Sequence, residues 1–183
     1  RDNELSMEGT YSIDSQYYDL DAQIQKLPMQ TLDPFLSGLI HDSEGYLDGR
    51  LSVKGQSSQA KLDGRMQLHG VKTTVDYLNI PYEVAEASID ITDRIIRFGE
   101  LEMKDADGRS ASLSGKIEHQ LFDKMALDLN FTSDRFQFLN TTATDNKLFY
   151  GQLILKSDMS VRGPIDKPQF FINAITEPGT RFY

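Results

Sequence analysis

The chain contains no cysteine. That excludes a disulfide framework, thiolate zinc ligation and thiol catalysis, and it leaves the compartment open. No apolar stretch approaches the roughly 18 residues of a membrane-spanning helix. Basic charge is in short supply: 19 Lys and Arg stand against 28 Asp and Glu, a net charge of −9, which opposes binding to nucleic-acid phosphates or to an anionic leaflet. Apolar residues are not abundant either. A hydrophobic content of 39% with a mean hydropathy of −0.44 suffices for folding but is lean for a thick core, as expected of strands that bury one face. The sequence starts at Arg1 with no basic-then-apolar leader and stops at Arg181-Phe182-Tyr183 in strand-like residues. We expect one domain, residues 1–183, cut from a longer chain, with any signal or anchor outside it.

What the chain does have is a glycine-punctuated alternation. Leu47, Gly49, Leu51, Val53 and Gly55 occupy one set of alternate positions, and Leu62, Gly64, Met66, Leu68 and Gly70 repeat the arrangement. Side chains two apart on a strand share a face, so each run makes one face apolar and leaves Asp48, Arg50, Ser52 and Lys54, or Arg65, Gln67 and His69, to solvent. The glycines fall in phase with the apolar residues. They mark points on the inner face where another backbone, or a bound chain, can approach.

The same period continues along the chain. Strands are expected at Thr10 to Ile13 and Tyr18 to Ile24, around Val71 to Tyr77, at Ile89 and Ile91, at Ile96 and Phe98, and at Leu101 and Met103. The Asp105 to Arg109 segment carries an Asp-Gly pair suited to a hairpin turn. Further strands follow at Ala111 to Ile117, Met125 to Phe131, Phe136 to Phe138, Gly151 to Val161 and Phe170 to Ala174, about eleven or twelve in all. Between Leu27 and Gly38 alternation is lost, and Met29, Leu32, Phe35, Leu36 and Leu39 fall at helical spacing. Proline near the start and glycine at the end predict one short helix or pair of turns there, packed against an open end of the sheet.

Catalytic constellations are absent from the sequence. His41, His69 and His119 are scattered and none has a carboxylate at motif spacing, so they read as structural or surface histidines. No nucleophile elbow, phosphate-binding glycine loop or zinc-protease motif occurs. Asp105 and Asp107 before Gly108 resemble part of a calcium loop, but Lys116 stands where its closing glutamate belongs. The Asp-Gly-Arg triplets at Asp48, Asp63 and Asp107 read as outward ion pairs flanking a glycine. No spacing selects a carboxylate pair for glycoside hydrolysis. We expect no enzyme, no metal and no cofactor.

Two all-β architectures fit this pattern: a closed sandwich or barrel, and an open curved sheet whose dry face is a groove. The groove's lining would be Leu51, Val53, Met66, Leu68, Val75, Tyr77, Ile89, Ile91, Phe98 and Met103 from the first half. Leu113, Ile117, Leu127, Leu129, Phe131, Leu153, Leu155, Met159, Val161, Phe170 and Ile172 would complete it. Methionine among them makes a soft lining tolerant of varied apolar guests, though it also fills cores. Periodicity leaves both architectures open.

The segment Gly45-Tyr46-Leu47-Asp48-Gly49-Arg50-Leu51-Ser52-Val53-Lys54-Gly55, followed by Leu62-Asp63-Gly64-Arg65-Met66-Gln67-Leu68, resembles the strand motif of TamB translocation and assembly proteins, relatives of the AsmA-like group. The Leu27 to Gly38 segment, Asn146 to Gly151 and Val161 to Phe170 are similar to further elements of that family, while Gln59-Ala60 stands where it usually carries proline. The resemblance implies an elongated, folded-over, antiparallel-rich sheet, β-taco-like, with an apolar inner groove. It implies a periplasmic portion of a protein anchored in the inner membrane of diderm bacteria, and a partner in a TamA-like outer-membrane barrel of the Omp85 class. It further implies a role in moving phospholipid acyl chains to the outer membrane. A competing role is a scaffold for outer-membrane protein assembly or autotransporter secretion, pairing sheet edges with barrel strands.

Overall fold

In the computed structural model, residues 4–34, 36, 40–56, 59–76, 78–120, 123–144 and 150–183 are described, with Gln120, Asp123 and Phe182 described by backbone alone. Eleven strands follow one another: β1 (Glu4–Ser12), β2 (Tyr17–Pro28), β3 (Ile40–Gln56), β4 (Lys61–Val75), β5 (Ile80–Thr92), β6 (Ile95–Lys104), β7 (Ser110–Gln120), β8 (Asp123–Thr141), β9 (Gly151–Pro164), β10 (Gln169–Thr176) and β11 (Arg181–Phe182). The first ten pair in chain order, each antiparallel to the one before, in a single open sheet. The short β11 pairs with β9 beyond the end of β10. The all-β, folded-over fold is therefore present, and its strands are longer than the sequence pattern indicated: β8 runs 19 residues and joins the two segments read as separate strands.

A line of backbone irregularities creases the sheet. Register shifts occur at Ile24/Leu27 in β2, around Glu44 in β3 and at Phe98/Leu101 in β6. Lys26, Gly45 and Gly70 take positive φ of 49°, 87° and 55° along this line. Bulges bend a strand and shift its side-chain parity, so apolar residues three apart come to the same inner side: Ile24 and Leu27, Leu68 and Val71, Val84 and Ala87, Phe98 and Leu101. Inside the crease Met29, Leu47, Val71, Val84 and Leu101 form a buried core. A Cβ on Gly45 would lie 2.7 Å from the carbonyl carbon of Gly70, so the two backbones meet here with no room for a side chain.

A second core closes one end. Past Ser133, β8 outruns the β6–β7 hairpin and pairs only with β9. Its extension leans onto β5 and the turn before it: Tyr82 Oη donates to the Gln137 carbonyl at 3.2 Å and Asn140 N donates to the Leu78 carbonyl at 3.2 Å. Phe136, with no exposed surface, stacks on Tyr82 at 5.2 Å and meets Phe131 and Phe138 edge-on. Burial raises the Tyr82 hydroxyl pKa, which keeps it a neutral donor. The hairpin tip is tied in by Asp105. Its fully buried carboxylate accepts from the backbone N–H groups of Asp107, Arg109 and Gln137 at 3.0, 3.0 and 2.9 Å, and from Arg109 Nε at 2.8 Å.

Of the short helix or pair of turns expected here, the described residues hold one 3-10 turn, Met29–Thr31, followed by turn residues 32–34. Leu27 and Pro28 belong to β2, and Pro34, which lacks an N–H and disfavours helix at the residue before it, stops continuation. Phe35, Ser37, Gly38 and Leu39 lie outside the described residues, as do Asn146 to Phe149. Thr10 to Ile13 is also adjusted: β1 begins at Glu4, and Ile13 is exposed in the turn after it.

Candidate functional site

Cross-strand register lays the inner side chains out in continuous rows. One row runs Met7, Ala22, Leu51, Gly64, Ile91, Ile96, Ile117, Leu127, Gly163. The next runs Leu5, Ile24, Gly49, Met66, Ile89, Phe98, Gly115, Leu129, Val161, Phe170 across all ten strands. A shorter third row holds Leu101, Leu113, Phe131, Met159 and Ile172. No charged or hydrogen-bonding side chain interrupts any of the three. Ile91 and Leu101 are buried, most of the rest are half-buried, and the edge residues Leu5, Met7, Phe170 and Ile172 are exposed.

The structure brings together most of the sequence-predicted lining on this face, with Val53 beside Leu20 and Leu62 at its margin. Leu68 belongs to the crease core, and Met103 touches both cores. Val75 packs against the aromatic cluster at the closed end, where Leu155 pairs with Phe136 and Leu153 with Leu139. Tyr77 lies outside the described residues. Ala22, Ile24 and Ile96 join the rows, as do Leu5 and Met7, whose alternation with Gly9 and Tyr11 was the available sequence signal. Of the in-phase glycines, Gly49, Gly64 and Gly115 lie against neighbouring backbone, whereas a Cβ on Gly70 would meet nothing within 4 Å. A Cβ on Gly49 would sit 2.3 Å from the Arg65 carbonyl oxygen, one on Gly64 3.1 Å from Leu51 Cα, and one on Gly115, at φ +133°, 2.9 Å from Leu129 Cα.

The opposite face is charged. Ser6, Gln23, Arg50, Arg65, Asp90, Arg97, Lys116, Asp128 and Arg162 stand in one cross-strand row. Arg65 pairs with Asp90 at 2.5 Å, Arg162 Nε with Asp128 at 2.8 Å, and Lys54 with Asp19 at 3.0 Å. A concavity of about 1390 Å³ opens on this side, lined by Arg50, Arg65, Asp63 and Asp90 among others. Its walls carry both signs of charge and their own ion pairs, which suits water rather than an apolar guest.

His41 and His69 have carboxylate partners that sequence spacing could not show. His69 reaches Asp48 at 3.2 Å and Glu86 at 2.8 Å and stacks on Tyr46 at 4.8 Å. The hydrogen bond from His41 Nδ1 to Asp76 raises the His41 pKa above its ordinary value. His119 is buried. No cluster of His, Asp and Glu among the described residues could hold a metal, and no described helix is long and apolar enough to cross a membrane.

No curated protein and no solved structure matches the chain. Residues 99–180, from the second part of β6 to the turn before β11, match the family model described as the TamB C-terminal domain. The Gly45 to Leu68 motif lies outside the matched segment and contributes the same one-sided strands. That match covers somewhat less than half of the chain and makes the part from β6 to β10 similar to the TamB C-terminal domain.

Proposed function

We propose that this chain is a periplasmic section of a TamB-like envelope protein that holds phospholipid acyl chains against its apolar rows during transport between inner and outer membranes. The observation that carries this reading is the row from Leu5 to Phe170, apolar or glycine on every strand and mostly half-buried. Ten strands at about 4.8 Å spacing give a trough about 43 Å long. Each buried methylene gains about 0.8 kcal/mol against water. An acyl chain is therefore held by area, and it can slide because each strand offers the next equivalent apolar position. Headgroups remain in solvent. No chemistry is involved: the mechanism is exclusion of water. The membrane anchor lies elsewhere in the protein, and an Omp85-class, TamA-like barrel receives the cargo.

The test is lipid extraction and native mass spectrometry of the purified chain, with photocrosslinking in cells at inward Ile117 and outward Ser114. Crosslinks to phospholipid at Ile117 alone are expected. A folded protein with no lipid at either position would overturn the reading, and the scaffold role, in which sheet edges pair with barrel strands, would replace it.

A further inference from the structure

The two ends of the strands differ. At one end the aromatic core closes the apolar face, and the chain there carries Asp42, Asp76, Asp105 and Asp107, the last two holding Arg109. The opposite end is formed by hairpin tips. Arg94 lies in the β5–β6 turn, Lys124 beside the β7–β8 tip and Lys167 in the β9–β10 turn, all three exposed. Neighbouring strands are about 4.8 Å apart, so these cations recur about every 10 Å along the rim. In sequence each follows an aspartate: Asp93, Asp123 and Asp166. Between this rim and the aromatic wall the apolar rows have a definite depth. On β8 they run from Leu127 through Leu129 to Phe131, which meets Phe136 edge-on at 5.5 Å. Four residues at about 3.4 Å each give about 14 Å.

We infer that a bound diacyl phospholipid lies with its acyl chains along the strands, its headgroup at the hairpin-tip rim and its chain ends against the aromatic wall, an orientation that rests on the acyl-chain reading above. One leaflet of bilayer hydrocarbon is about 15 Å deep, half of about 30 Å, so the depth from Leu127 to Phe131 matches one acyl chain. Carbon atoms pack at about 3.5–4.0 Å, which fits one chain to one strand and the two chains of a lipid to the two strands of a hairpin. The headgroup then falls at that hairpin's tip. There Arg94, Lys124 or Lys167 meets the phosphate, and the aspartate beside Arg94 or Lys167 suits a headgroup amine. Such exposed contacts are individually weak, so they choose the end without fixing the lipid, and a step to the next hairpin exchanges one tip for an equivalent one. A chain laid across the strands along one row would set its phosphate over apolar side chains, taking a charge out of water with no partner. Reversed along the strands, the phosphate would meet carboxylates.

Two phosphatidylethanolamine probes test the orientation, one with a diazirine at the acyl terminus and one with a diazirine on the headgroup. The chain is loaded from phosphatidylethanolamine and phosphatidylcholine vesicles containing either probe and illuminated, and the labelled residues are located by peptide mass spectrometry. The headgroup probe should label the turns at Arg94 and Lys167, and the acyl-terminal probe should label the strands around Leu113 and Phe131. Equal labelling of both places by both probes, or the reverse pattern, would overturn the orientation while leaving acyl-chain binding in place. The triple variant Arg94→Gln, Lys124→Gln, Lys167→Gln, folded by circular dichroism, should lose at least about threefold of the headgroup labelling at the tips and keep the acyl-terminal labelling near Phe131. Unchanged tip labelling would overturn the part given to the cations. A folded chain labelled by neither probe would overturn the acyl-chain reading and this orientation with it.

Discussion

Removing the Asp105 carboxylate tests how the closed end of the sheet is held. The side chain has no exposed surface and accepts four hydrogen bonds, three from backbone N–H groups and one from Arg109. Only the bond from Gln137 N crosses to β8; the others shape the hairpin tip. In Asp105→Ala the Gln137 N–H, on a buried residue, loses its acceptor, and Arg109 keeps only its 2.5 Å contact to the exposed Asp107. Breaking a buried charged pair by removing one partner costs about 3–5 kcal/mol, and the separate bonds are not additive on top of it. For a chain of this size each kcal/mol lowers Tm by about 2–4 °C, so a fall of roughly 6–20 °C is expected. Asp105→Asn retains the oxygen that serves the Asp107 and Arg109 N–H groups and should lose about half as much. Thermal and urea denaturation give the magnitude, and amide exchange at Gln137 gives the location. An Asp105→Ala protein within about 1 kcal/mol of wild type, or one with Gln137 still protected, would refute the assignment of the latch.

Four further outcomes are expected. Gly115→Ala places a Cβ against the Asp128 carbonyl at φ +133° and should cost at least about 1–3 kcal/mol in urea titration. His41 should titrate above its ordinary value by NMR and return towards it in Asp76→Asn. Because the folded-state pKa is raised, the pair's small stabilisation is complete below the unfolded pKa and is lost as pH rises through the folded value. Phe136→Ala, in the fully buried aromatic cluster, should cost about 3–5 kcal/mol. Ile117→Thr with Leu127→Thr, paired across the half-buried row, should cost about 1 kcal/mol each yet abolish most lipid recovered with the chain; unchanged recovery in the folded double variant would count against the trough.

The one-sided strands from Gly45 to Leu68 were legible because a two-residue period leaves no ambiguity when one face is dry. The crease was not. A bulge moves the inner position from i+2 to i+3, and a spacing of three reads locally as helix. Hence Phe98 and Leu101 resembled members of two strands rather than one, while the helical spacing of Met29 and Leu32 is that of the 3-10 turn Met29–Thr31 and its C-cap. Gly49, Gly64 and Gly115 were readable as close approaches, but only register identifies neighbouring backbone as what approaches. Asp105 to Gln137 and His69 to Glu86 are contacts between distant chain positions that no local pattern encodes.

Two small cores suffice to fix this fold: the crease residues around Leu47 and Val71, and the aromatic end around Phe136. The apolar rows extend well beyond both. At the two edges of the sheet the row residues Leu5, Met7, Phe170 and Ile172 are exposed, so no described element covers them. A sheet that needed its dry face only for folding could carry polar residues at Leu5, Met7, Ile117 and Leu127 without disturbing either core, and solubility would favour them. The bulges instead return every strand to the same apolar side after the bend, while the opposite face keeps a row of Arg, Lys and Asp. Apolar continuity beyond the cores is therefore what distinguishes a surface built to be covered by something else from a core that covers itself.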